Sequence, residues 1–312
     1  MPKEVLHWVI ARMVGEGLPP GRVRKAVEAH PGLFFYGAVA PDSLFYVLSP
    51  SREVREAGRR VHGTAGVESF AGLRRVVEGG AGEVADALVA GWLTHVAADV
   101  VFHPMVFYLT GSREAEDERV RKGSTYRHYA LETVLDLYVL DRWEVPWGGR
   151  LERMVGPYGG DRRVGEVLGA AWFLDEGRAD EAGRVMRRHA LLQGLFFSKG
   201  AAFLVDAAGV VVPWLRSFRG LFYRERFRWL RGVWRGPVAW RHPVTGEERE
   251  AGVEELMEEA VEKGRELVRM LEEVPAREWP VGPCLETGLP VDDTRPMRYF
   301  DVEREPVCSI WS

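Results

Sequence analysis

Five histidines and three carboxylates form one ordered series along the first part of the chain: His7, Asp42, His62, His95, Asp99, His103, His128 and Glu132. Imidazole nitrogen and carboxylate oxygen are donors that zinc takes readily, and a catalytic zinc keeps an open coordination position. The series is densest in 91–104, where His95, Asp99 and His103 recur every fourth residue among mostly apolar neighbours. On a helix this spacing keeps all three on one stripe, with His95 and Asp99 roughly 6 Å apart along the axis at about 1.5 Å per residue. One carboxylate can then bridge two ions while its neighbour holds one of them. His128 and Glu132 repeat the i,i+4 spacing within 126–140. A lone histidine on an apolar helix is more often a hydrogen-bonded core residue, and a single HxxxD or HxxxE pair is a weak signal. Two such pairs with further donors in apolar surroundings change that balance, because buried imidazoles and carboxylates are costly unless paired or coordinated. A cluster of two or three zinc ions is the expected centre.

The set and its order resemble the zinc-dependent phospholipase C family, which includes secreted bacterial phosphatidylcholine-cleaving enzymes and clostridial alpha-toxin, with fungal zinc nucleases as distant relatives. The resemblance rests on His7, Asp42 in 37–46, His62, the pair His95/Asp99, His103 and the pair His128/Glu132. It implies an all-α multi-helix bundle of the zinc-dependent phospholipase C type. Carried over by position, it places His62, His95, Asp42 and a bridging Asp99 around one zinc, and His103, His128 and Glu132 around another. A third would take His7, the other side of Asp99 and the N-terminus of the chain. Glutamate at 132 favours the phospholipase branch over the nuclease branch, which tends to carry aspartate. Two departures stand out. His103 follows Asp99 more closely than in the secreted enzymes and precedes Pro104, which disfavours α geometry for His103. The N-terminal tryptophan of those enzymes is absent, leaving Met1 or, after removal of the initiator, Pro2 as the terminal ligand.

The resemblance also implies attack by metal-activated water on the phosphate of a phospholipid, on the glycerol side, with Asp42 as combined ligand and proton acceptor. Phe35, Tyr36, Phe45 and Tyr46 flank Asp42 as candidate substrate contacts, against the plainer reading that they pack. A zinc nuclease or nucleotidase is the alternative enzyme. A non-catalytic zinc protein that binds lipid or a partner is the alternative from another class. The headgroup is left open.

Positioning these donors falls to helices. Helical periodicity dominates, with elements expected near 3–14, 52–62, 67–78, 82–102, 126–141, 162–175, 179–206 and 251–273, separated by glycine and proline clusters. One all-α domain is expected over 1–274, with the metal ligands within 1–132. From Pro275 to Ser312 six prolines and no helical pattern predict an extended tail packed on that domain. The charged segment 111–126 reads as a solvated loop at one rim of the site.

At 312 residues and net charge −4, the chain is long enough for a large core and exerts no global pull on nucleic acid, so that partner is not expected. Its two cysteines argue against a disulfide framework. The N-terminus lacks the pattern of a secretory signal, and no stretch reads as a bilayer span, so a cytoplasmic protein is expected, with membrane association open. Segment 213–241 bears on that question, with eight aromatics and eight arginines against Glu225 alone. The aromatics pack into the core behind an arginine rim, or they enter a lipid interface while the arginines meet headgroups, or, as a third reading, they stack on nucleic acid while the arginines pair with phosphates.

Overall fold

The computed structural model of the chain describes residues 3–47, 52–64, 66–80, 82–174 and 177–311. The expected ligand at Met1 or Pro2 lies outside the described residues. Helices supply nearly all regular structure. The chain begins with α1 (Glu4–Glu16), α2 (Arg22–Ala29) and α3 (Pro31–Gly37), then a 3₁₀ turn at Pro41–Tyr46, α4 (Arg52–Val61) and α5 (Ala71–Glu78). The long α6 (Gly82–Thr110) follows, then α7 (Glu118–Arg121), α8 (Ser124–Leu140), α9 (Leu151–Val155) and α10 (Arg162–Ala171). Next come α11 (Ala179–Phe196), α12 (Lys199–Val211), a 3₁₀ stretch at Pro213–Leu221 and α13 (Glu225–Leu230). An antiparallel hairpin of β1 (Val238–Arg241) and β2 (Glu248–Ala251) precedes α14 (Val253–Glu273).

The bundle is organised around α6, which is apolar on nearly all sides and buried along almost its whole length by α1, α2, α3, α8 and α14. Among the described residues α6 is long and apolar enough to cross a bilayer, contrary to the sequence expectation, and α11 with α12 would be so only as one bent pair; yet 89% of the most apolar window of α6 is buried inside the protein. A helix apolar all round either spans a membrane or fills a core, and here it fills the core.

Glycines set how closely the site-bearing elements approach. A Cβ on Gly91 would stand 1.9 Å from the Phe34 carbonyl oxygen, and one on Gly37 would stand 2.2 Å from that of Leu88. Backbone therefore meets backbone between α3 and α6, which brings the following 3₁₀ turn and its Asp42 over the His95 stripe.

Several helix ends depart from expectation. Pro104 does not stop α6, and His103 is helical. A proline deprives the carbonyl four residues earlier of its donor. That carbonyl, of Val100, lies beside Gly288 of the C-terminal tail, where an added Cβ would come within 2.9 Å of it. The expected helix 179–206 is two helices bent by 93°, with Ser198 Oγ accepting from the Ala201 N–H to start α12. Neither α2 nor α3 was expected, nor was the hairpin that occupies 238–251. Segment 213–241 divides: Phe227, Trp234 and Trp240 are buried, whereas Trp214 and Trp229 are exposed. Residues 275–311 carry only short 3₁₀ turns and one isolated bridge, between Pro283 and Pro290.

Candidate metal centre

His95, Asp99 and His103 project from one stripe of α6, as a four-residue spacing on a helix dictates. His7 comes from α1, Asp42 from the 3₁₀ turn, His62 from the residue after α4, and His128 and Glu132 from α8. All are buried except His128, which is partly open. Asp99 lies at the middle: Oδ1 faces His7 Nε2 at 3.5 Å and His103 Nε2 at 3.6 Å, and Oδ2 faces His95 Nε2 at 3.1 Å. Asp42 Oδ1 faces His62 Nε2 at 3.2 Å and His95 Nε2 at 3.7 Å. Glu132 Oε1 is 2.9 Å from His128 Nε2. His7 stacks on His95 with centroids 4.4 Å apart.

The opposite nitrogen of three rings explains what these contacts are. Nδ1 of His62, His95 and His103 lies 2.8, 3.0 and 2.7 Å from the carbonyls of Gly58, Ala38 and Leu285. A carbonyl only accepts, so each Nδ1 carries the proton, and in the neutral ring each Nε2 presents a lone pair. At His103 that lone pair faces Asp99 Oδ1, acceptor against acceptor, in a buried interior, whereas His62 Nε2 and Asp42 Oδ1 stand at hydrogen-bonding distance, 3.2 Å. Among the described residues, Nε2 of His95 and of His103, both oxygens of Asp99 and both nitrogens of His7 have no hydrogen-bond partner. Buried orphan acceptors are costly; one cation between them satisfies several at once.

The donors fit zinc. Ligands about 2.0–2.1 Å from a tetrahedral zinc stand roughly 3.4 Å from one another, close to the separations around Asp99. Carbonyl partners on Nδ1 are the outer contacts that orient metal-binding histidines. Three groups have ligand atoms mutually within 4.8 Å: His7, Asp42 and His95; His62, His95 and Asp99; His103, His128 and Glu132. The last matches the set implied by the resemblance. His7, expected opposite Asp99 with the N-terminus, is grouped with Asp42 and His95, although it also faces Asp99.

Electrostatics favours neutral rings at His7 and His103. Burial lowers His7 to about 4 and His103 to about 3, so both rings are neutral near pH 7 and each keeps one nitrogen free of a proton. Burial opposes charge on His95 too, but Asp99 and Asp42 outweigh it and raise its pKa. Against the same burial, His103 and His95 hold Asp99 well below the usual carboxylate range.

Three of the donors, His62, His103 and His128, line a cleft of about 690 Å³. Phe45, Phe107 and Tyr129 line it, with Arg59, Arg113 and Arg295 among its charged residues. Of the four aromatic residues expected beside Asp42, Phe45 lines the cleft and is 45% exposed. Tyr36 is fully buried with its hydroxyl 3.0 Å from Ser43 Oγ, and Phe35 packs on Trp147. Tyr46 donates to Glu4 Oε1 at 3.1 Å and stacks on His189. These three pack, and the aromatic wall comes from other elements.

The sequence reading also missed the contribution of the tail. Leu285 supplies the carbonyl for His103 and donates its N–H to the His62 carbonyl at 2.9 Å, and Glu286 lines the cleft. No local spacing signals these residues. Asp136 did carry a signal, since it extends the stripe of His128 and Glu132 by one more four-residue step, yet it turns away to α1.

A family model described as zinc dependent phospholipase C matches residues 6–175, a span that contains all eight candidate ligands. No curated protein and no solved structure matches the chain.

Proposed function

The chain belongs to the zinc-dependent phospholipase C family, and from that premise we propose that it hydrolyses a phosphodiester, with a phospholipid as substrate. The observation that carries this reading is the set of buried Nε2 and carboxylate atoms gathered around Asp99, with His62, His103 and His128 lining an open cleft. His7, Asp42, His62, His95, Asp99, His103, His128 and Glu132 would hold the metal. Zinc, when bound, supplies Lewis acidity toward phosphoryl oxygens and makes water acidic enough to attack near neutral pH.

The remaining work belongs to the chain itself. Asp99 sets the spacing of the cluster by facing three histidines at once. Asp42 meets His62 and His95 through Oδ1, and we assign Oδ2 to accept the proton of the attacking water. Arg59 and Arg113 at the cleft attract the anionic diester, while Phe45 and Tyr129 offer apolar surface to the rest of the substrate.

Purified protein should contain zinc and hydrolyse a short-chain phospholipid or a p-nitrophenyl phosphocholine analogue. Chelation should remove the activity and zinc should restore it. Chelation should also lower the melting temperature by on the order of 10 °C, since ligand at a thousand times its dissociation constant stabilises by about 4 kcal/mol. Metal-replete protein inert on phospholipids, simple diesters and nucleic acids would leave the non-catalytic reading in its place.

A further inference from the structure

We propose that the outer face of α12 and the turn after it form a docking surface for an anionic lipid bilayer, which sets the cleft against its substrate. The substrate part rests on the phospholipase reading, whereas the docking surface rests on its own observations.

The first is a mismatch between composition and exposure. α12 reads KGAAFLVDAAGVV, apolar around most of its circumference. Its inner residues Ala201, Ala202 and Val205 pack on a small cluster of Phe196, Leu221 and Phe222. Phe203, Leu204, Val210 and Val211 on the remaining surface are 67–81% exposed, and Trp214 just beyond is 61% exposed. A helix apolar all round is normally buried, and a contiguous exposed apolar patch marks an interaction site. α6 has a similar composition and is covered; among the described residues nothing covers this face of α12.

Charge selects the occupant. Between Lys199 and Gly220 the sole acidic residue is Asp206, and it is neutralised by Arg219 Nε at 2.6 Å and Arg224 at 2.7 and 2.8 Å. Lys199 stands at one end of the helix, and Arg216 donates to the Gly209 carbonyl at the other, 2.8 Å away. An apolar strip flanked by cations and a tryptophan, with its one carboxylate satisfied, suits acyl chains below an anionic headgroup layer. At about 1.5 Å per residue α12 is close to 20 Å long, short of a bilayer core of about 30 Å. The 93° bend from α11 rules out a straight continuation, so the helix lies in the interface.

Position ties the strip to the cleft. Trp214 meets Phe218 edge-on at 5.7 Å, Phe218 meets Tyr129 at 6.3 Å, and Tyr129 lines the cleft next to His128 in sequence. Two ring contacts therefore lead from the exposed tryptophan to the cleft wall. The expectation of membrane contact through 213–241 is thereby narrowed and moved, since Phe227, Trp234 and Trp240 of that segment are buried.

The test compares full-length wild type with a variant carrying F203S, L204S and V211S, using vesicles of phosphatidylcholine and phosphatidylglycerol at about three to one. Wild type should sediment with the vesicles. The variant should partition at least tenfold more weakly, with unchanged zinc content, circular dichroism and rate on a monomeric short-chain substrate. V281S, which alters an exposed apolar residue of the tail, should bind like wild type. Equal sedimentation of wild type and the triple variant overturns the proposal. So does a dimeric wild type that ignores vesicles and becomes monomeric in the variant, which assigns the strip to a second copy. Sedimentation needs no catalysis, so a protein that binds vesicles yet cleaves no diester would refute the phospholipase reading and leave the docking surface standing.

Discussion

Three elements each feed two buried polar clusters. α1 sends His7 to the metal centre and Glu4 to its neighbour; the 3₁₀ turn sends Asp42 one way and Ser43 and Tyr46 the other; α8 divides Glu132 from Asp136. Both clusters combine histidine with carboxylates, and both are buried. In the second, His189 Nδ1 meets Ser43 Oγ at 2.8 Å and its Nε2 meets Glu4 Oε1 at 3.4 Å. Asp136 accepts from the N–H groups of Val5 and Leu6 and from the Tyr223 hydroxyl, and Lys3 donates to the Leu221 carbonyl while lying over the Tyr223 ring. Donors there meet acceptors, with Glu4 Oε2 left over. In the metal centre, both nitrogens of His7, Nε2 of His103 and both oxygens of Asp99 lack a partner among the described residues. Burial of histidine and acid is thus common to both, and the missing partners mark the one that needs a cation.

Substitutions can break this contrast, and the largest effect is expected at Asp99. Asp99→Ala should lose most of the zinc and more activity than the about 10–100-fold typical of an outer partner of a metal ligand, as read by elemental analysis and diester hydrolysis. Retained zinc at wild-type levels would remove Asp99 from the centre.

His189→Ala addresses the closed cluster. It leaves Glu4 and Ser43 buried without their common partner, a loss of about 2–4 kcal/mol in chemical unfolding. Zinc content should not change; if zinc is lost while stability holds, the two clusters have been assigned the wrong way round.

The effect smallest at any one step is a slope with pH. Burial, reinforced by Glu4, raises Asp136 from 3.8 to about 7 in spite of its hydrogen bonds. Between those values the folded protein keeps a proton that the unfolded chain releases, so stability falls as pH rises from about 4 to 7. This one group contributes at most about 1.4 kcal/mol per pH unit. Asp136→Asn should flatten that part of the profile, and an unchanged slope would show that Asp136 is ionised throughout.

Much of the site was legible because helical stripes are local. His95, Asp99 and His103 share a face by spacing alone, as do His128 and Glu132. The same rule would have included Asp136, whose destination the rule cannot supply. α2 escaped notice for a related reason. Its N-cap, Gly21, has no side chain to cap with, and the carboxylate of Glu272 on α14 accepts from the N–H groups of Arg22 and Val23 instead, at 2.9 and 2.7 Å. α1 is capped likewise, by Asp136. In the aromatic-arginine segment composition was equally ambiguous, since Trp229 and Trp234 have the same neighbours in kind and opposite exposures of 81% and 1%.

By itself the sequence determined the helical class, the main ligand-bearing helices and the donor types available to a metal, because periodicity and side-chain chemistry are properties of short stretches. Tertiary structure alone decided which buried imidazoles gather around Asp42 and Asp99 and which one pairs with serine and Glu4. It also decided that Leu285 of the tail orients His103, and that α12 keeps an uncovered apolar face. The physical reason is that the cost of burying a polar atom depends on the partners around it, and here those partners come from residues far away in the chain.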